Sequence, residues 1–220
     1  MEIKNLFFIG SNLKQFRKKK LLSVINNPYK KPSNNFLNYG YDYFDNNLVN
    51  SGYTKYIYDS RFKKPVQKIE EYFDLKKRMK ICEFGCAKGY LLFEFSKKNY
   101  QIIGLEKSIY AIKKSFPKVS KKIKYIKNIE SLKKYKFDFF ICKNVLPHLT
   151  KKEIHKLIKV SITNGNLKPF FVIHTYKNKN LKKYYKLWDR THKTIMNIFE
   201  WRKFLKKYDN NIFYAFDTLF

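Results

Sequence analysis

The feature that most constrains this chain is a corner. An apolar run from Met79 to Phe84 stops in Glu83-Phe84-Gly85-Cys86-Ala87-Lys88-Gly89, and a helical pattern follows at once. The run reads as a buried strand, and Leu91, Leu92 and Phe95 fall on the inward face of the next helix. Gly85 lets the main chain turn with positive φ and approach a ligand closely, while Gly89 opens the helix. The first helical turn offers unpaired backbone N–H groups, which suit a carboxylate. Acidic Glu106 closes the next apolar run, where its two oxygens can accept both hydroxyls of a ribose.

The same alternation continues beyond the corner. Further strands are expected over 100–105, 123–126, 137–142 and 169–175, with helices over 110–116 and 151–160. Such an order implies a doubly wound α/β fold, Rossmann-like and mostly parallel, with six to seven strands and helices on both faces. Ligands in these sheets bind beyond the carboxyl ends of the strands, near the switch in strand order. Upstream, a short helix near 11–25 precedes an extended loop, and Val66, Ile69, Tyr72 and Phe73 mark a helix over 65–75. The tail reads as helices near 180–192 and 198–207 and one last strand near 211–219. The expected division is an aromatic, basic extension over 1–60, a candidate lid, and a catalytic domain over 61–220.

The segment Ile81 to Leu92 resembles the glycine-rich first motif of class I S-adenosylmethionine-dependent methyltransferases. Ile103-Gly104-Leu105-Glu106 is similar to their acidic second motif, and Phe137 to Cys142 to their fourth strand. Ala87 stands where the fuller motif has its middle glycine. The last part of the sheet also departs: the family ends in two further strands, one antiparallel, and only one candidate is visible. The resemblance implies S-adenosylmethionine as cofactor, with Gly85, Cys86, Ala87 and Gly89 lining its methionine part. It implies Glu83 at the ammonium, Glu106 at the ribose with Lys107 also at the cofactor, and Asn128 with Ile129 at the adenine. Lys143 and Asn144 would close the site beside the sulfonium. A dinucleotide-binding oxidoreductase needs G-x-G-x-x-G, which the four-residue spacing of Gly85 and Gly89 does not supply.

Methyl transfer is an in-line displacement, so positioning and exclusion of water carry much of the catalysis. A base is required only when the acceptor starts protonated with a high pKa. His148 and His174 follow the fourth strand and end the fifth, where an acceptor should enter, and are the candidate proton acceptors. Tyr53, Tyr56, Tyr58, Asp59 and Arg61 precede the first core helix and are candidate acceptor-binding residues, with Tyr176 and Trp188 opposite. Aromatic rings there favour a sulfonium, and Arg61 suits a carboxylate or phosphate. Packing of the same rings into the core is the competing reading.

The formal charge of +31 ordinarily points to a polyanion. Only five of the 48 basic residues are arginine, the residue best suited to planar phosphate recognition, so general lysine surface is the simpler reading. A small or medium-sized acceptor, sugar-like or carboxylate-bearing, is expected. An RNA or DNA methyltransferase and a non-catalytic binding module are the alternatives. Cys82, Cys86 and Cys142 form neither a disulfide framework nor a C-x-x-C metal motif, which fits a reducing cytosol and no bound metal. No apolar run reaches the roughly 18 residues of a membrane span. The Leu6-Phe7-Phe8-Ile9 patch reads as a small packing patch with membrane contact as its alternative.

Overall fold

A computed structural model describes residues 1–4 and 11–218 of the chain. Its sheet contains β1 (Lys80–Phe84), β2 (Gln101–Glu106), β3 (Ile123–Tyr125), β4 (Phe139–Lys143), β5 (Phe170–Thr175) and β6 (Phe213–Thr218). The order is β3-β2-β1-β4-β5-β6, and every pair is parallel. Parallel strands are covered on both faces, which is why they read as unbroken apolar runs. All six residues of β5 are buried.

The helices are α1 (Ser11–Asn26), α2 (Asn34–Leu37), α3 (Tyr41–Phe44), α4 (Lys63–Tyr72), α5 (Tyr90–Ser96), α6 (Ile109–Lys113), α7 (Lys151–Asn164), α8 (Lys182–Trp188) and α9 (Ile198–Leu205). Alternation along the strands builds two cores. Ile81, Phe139 and Phe170 meet Ile69 of α4 and Leu91 of α5, whereas Cys82, Phe140 and Phe171 meet Leu157 of α7 and Trp201 of α9. Helices α7 and α9 each begin with a reciprocal capping box, Thr150 with Glu153 and Asn197 with Glu200. These boxes satisfy backbone donors that the helix leaves orphaned.

The expected strands and major helices are present. Two differences are structural. The stretch read as a loop before α4 contains α2 and α3, because Ser33 caps α2 by accepting from the Phe36 amide and Phe36 is fully buried. Phe36, Tyr43, Phe44 and Tyr56 therefore belong to the same core as β1 and α5. At the other end, β6 runs parallel to β5 along six residue pairs, so the sheet is parallel throughout. Its outer edge is met by Met1–Ile3: the Ile3 amide donates to Tyr214 at 2.7 Å and the Tyr214 amide to Met1 at 3.0 Å. That contact covers edge groups that would otherwise be open to pairing. The Leu6–Ile9 patch lies outside the described residues. Among the described residues no helix is long and apolar enough to cross a membrane.

Candidate functional site

The strand order reverses between β1 and β4, so the loops leaving them part and open a crevice, as expected at a switch point. Gly85 leaves β1 with φ 71°, and a Cβ there would lie 2.3 Å from Cγ2 of Val145, in the loop after β4. Glycine is thus required both for backbone conformation and for the approach of the two loops. Ala87 is also left-handed, at φ 50°. Its amide donates to Oε2 of Glu106 at 2.7 Å, while Oε1 of Glu106 accepts from the Ser108 amide at 2.7 Å. The acidic end of β2 is therefore tied directly to the glycine corner. A carboxylate has about four acceptor positions, so acceptor capacity remains for a ligand. Burial pushes the Glu106 carboxyl up, and the Ser108 and Ala87 amides oppose that shift.

Beside this corner lies a cavity of about 320 Å³. Gly85, Ala87, Glu106, Lys107, Asn128 and Ile129 line one side of it, with Lys143, Asn144 and His148 on the other. Cys86, Gly89 and Glu83 do not line it. Cys86 instead wedges against β2, where a Cβ on Gly104 would come 2.6 Å from its sulfur. Gly89 is the left-handed cap of α5, at φ 79°. Glu83 is buried, and its Oε2 has no hydrogen-bond partner. Burial, reinforced by Glu106 and opposed by Lys143, holds the Glu83 carboxyl well above the usual range. A buried carboxylate oxygen without a hydrogen bond favours a cation nearby, and Lys143 is the one acting on it. Asn128 has a local task as well: its Oδ1 accepts from the amide and hydroxyl of Ser131, capping a 3-10 turn.

A second cavity, about 120 Å³, meets the first at Tyr43, Tyr53, Lys143, Asn144 and His148. Asn144 is left-handed at φ 58°, and its Nδ2 donates to Asp217 at 2.9 Å. Tyr56, Arg61, His174 and Trp188 face this second space. Tyr58, Asp59 and Tyr176 line neither cavity. The Tyr58 hydroxyl is held by Glu94, Tyr176 packs with Tyr185, and Asp59 acts on the cavity only through Arg61, 2.6 Å away.

Sequence reasoning passed over Asp189, Thr191 and His192, which no local motif signals. Oδ1 of Asp189 accepts from the Thr191 hydroxyl at 2.6 Å, and Oδ2 accepts from the Tyr43 hydroxyl at 2.8 Å. Nδ1 of His148 lies 2.8 Å from the same Thr191 oxygen. With that hydroxyl donating to Asp189, Nδ1 of His148 is matched as the donor, and the Asn144 backbone is a second hydrogen-bond partner of the ring. Burial lowers the imidazoles of His148 and His192, and it lowers His174 to about 3. Burial opposes ionisation of Asp189, but the His192 and His148 rings and the Thr191 hydroxyl and amide outweigh it, bringing the carboxyl to about 2. These groups titrate together: the Asp189 charge favours protonated rings, whereas burial favours neutral ones. His148, Asp189 and His192 also bring ligand atoms within 4.8 Å of one another, a set able to hold a metal ion.

A model of the methyltransferase domain family matches residues 56–211. The chain belongs to that family. The fold agrees: a methyltransferase from Archaeoglobus fulgidus described as SAM-dependent superposes with a TM-score of 0.53 at 19% identity, over 66% of each chain. The YcgJ protein of Bacillus subtilis gives 0.51 at 12% identity, over 64% of this chain and 66% of its own. No curated protein sequence matches the chain. The fold is that of class I methyltransferases, whose methyl donor is S-adenosylmethionine, and the glycine corner and the buried Glu106 beside the cavity fit that donor.

Proposed function

We propose that this methyltransferase transfers the methyl group of S-adenosylmethionine to a small or medium-sized acceptor, sugar-like or carboxylate-bearing. The observation that carries the reading is the direct tie between Glu106 and the glycine corner beside a cavity that opens, at Asn144 and His148, into a second one. One nucleoside can reach both the corner and the carboxylate. Glu83 would hold the ammonium, Gly85 and Ala87 the methionine chain, Glu106 and Lys107 the ribose, and Asn128 with Ile129 the adenine. Lys143 and Asn144 would border the reacting sulfur.

The acceptor would enter the second cavity, covered by Tyr53, Tyr56 and Arg61 from the segment over 39–61, with Trp188 opposite. When bound, the cofactor supplies an electrophilic methyl group on a cationic sulfur. The chain's own part is to align the acceptor and exclude water. His148, where the two cavities meet, is the group placed to take the acceptor's proton. His174, at about 3, is too weak a base near neutral pH and serves as wall. Three free, buried cysteines agree with a cytosolic setting.

Calorimetry with S-adenosylmethionine and with S-adenosylhomocysteine tests the cofactor site directly. Stoichiometric binding of both is expected; folded protein that binds neither at high micromolar concentration overturns the function.

A further inference from the structure

The wall of the second cavity away from the cofactor is basic. Arg17 and Lys20 reach it from α1, and Lys55 and Arg61 from the segment before α4, against one carboxylate, Asp189. Helix α1 is set there by packing on α8. The cations differ in how they are matched. Arg17 lies 2.6 Å from Asp217, and Arg61 lies 2.6 Å from Asp59. Lys20 has no carboxylate at ion-pair distance among the described residues. Its ammonium donates to the Gly52 carbonyl and sits 4.4 Å over the Trp188 ring. Burial brings Lys20 down to about 8, with Asp189 opposing the shift. A half-buried ammonium lacking a carboxylate in contact has lost part of its water without a full replacement, and an anion would supply it.

We propose that this wall receives a carboxylate or phosphate carried by the methyl acceptor, with Lys20 as its principal contact and Arg17 and Arg61 flanking it. The assignment rests on the methyltransferase reading for its direction: the anionic group lies on the basic wall, and the reacting atom lies at Asn144 and His148, where the two cavities meet. The charge-assisted bonds at the wall fix the acceptor's orientation, so that only one end presents to the methyl group. The same surroundings disfavour a dication at His148, Asp189 and His192. Such an ion would share a small cavity with Arg17, Lys20 and Arg61, whereas an anion gains from all three.

Tryptophan emission reads the cavity. Trp188 borders it under Lys20, while Trp201 is wholly buried in the core and supplies a constant background. The full chain is titrated with glucuronate, with inorganic phosphate and with glucose. A saturable change with glucuronate or phosphate, and none with glucose, is expected; the anion that responds tells carboxylate from phosphate. Lys20→Met should weaken that response about tenfold or more, as loss of a charge-assisted contact does, and Lys20→Arg should retain it. Arg61→Met, read in the same way, serves if Lys20→Met does not fold by circular dichroism. No saturable response to either anion, an equal response to glucose, or a Lys20→Met protein that binds like the parent overturns the pocket. Calorimetry with S-adenosylhomocysteine on the same samples separates the two ideas. Lost anion binding with retained nucleoside binding removes only the pocket, and the reverse removes the methyltransferase reading.

Discussion

At the level of single residues the glycine corner behaves as two opposite cases. Gly85 has φ 71° and no room for a Cβ beside Val145. Gly85→Ala should therefore cost about 1–3 kcal/mol, combining backbone strain with overpacking. In urea unfolding, Val145→Ala in the Gly85→Ala background should recover the packing part but not the backbone part. Ala87, at φ 50°, already carries such strain. Ala87→Gly should leave folding intact or raise stability by up to about 1 kcal/mol, with cofactor affinity preserved. Glu106→Ala should do harm twice. It would strand the buried amides of Ala87 and Ser108, about 1–3 kcal/mol each, and remove the proposed ribose contact. Calorimetry should show at least tenfold weaker S-adenosylhomocysteine binding together with a lower urea midpoint. Unchanged affinity in a folded Glu106→Ala protein would take the ribose role away.

Between elements, the segment preceding α4 is pinned to the corner by one ion pair. The Lys88 ammonium lies 2.6 Å from Asp45 and donates to the Tyr56 carbonyl at 2.8 Å; Asp45 also accepts from the Tyr110 hydroxyl at 2.8 Å. The Lys88 side chain is 7% exposed and that of Asp45 20%, so neither charge can fall back fully on water. Lys88→Met should destabilise by about 3 kcal/mol, because it leaves Asp45 uncompensated. Adding Asp45→Leu should recover part of that loss, and a double-mutant cycle by chemical unfolding measures the difference. Strict additivity would show that the pair holds nothing. The sequence allowed the strands and the corner to be read because buried parallel strands are apolar runs and a left-handed turn selects glycine locally. The basic wall and the Asp189–Thr191–His148 chain were not legible. Lys20 looks like any other lysine of a helix, and Asp189 sits in a loop. Only the packing of α1 on α8 brings them to one cavity. The aromatic run over 39–58 carried a real signal with two readings, core and acceptor wall. Phe44 and Tyr53 line the cofactor cavity, Tyr53 and Tyr56 the second one, while Tyr58 turns to Glu94.

For the molecule as a whole, buried neutral imidazoles make stability depend on pH in a direction that can be worked out. His174 is 6% exposed and the His192 side chain 2%. Burial sets both folded pKa values below the unfolded value of about 6.5, to about 3 for His174. Above about pH 6.5 both rings are neutral in either state and contribute no slope. Below it the unfolded chain takes up protons that the fold refuses, costing about 1.4 kcal/mol per ring per pH unit, or about 3 kcal/mol for the pair. Glu83 works the other way: its raised folded pKa means that acidification relieves a buried charge until the unfolded carboxyl also protonates near 4.5. Glu106 adds relief in the same sense, tempered by the amides that hold its charge. His148, also lowered by burial, adds to the two rings, and together they outweigh Glu83 down to about pH 4.5. Below that the relief ends, and below about 3.8 Asp189, held at about 2 in the fold, joins the loss. For a fold of about 5–15 kcal/mol this predicts a thermal midpoint that starts to fall near pH 6.5 and steepens below about 4.5. His192→Gln should flatten the upper limb, because it removes one of the rings that refuse a proton in the fold. A midpoint level from pH 7.5 to 5 would mean that the rings are not held neutral, and the proton-accepting role of His148 beside them would lose its electrostatic footing.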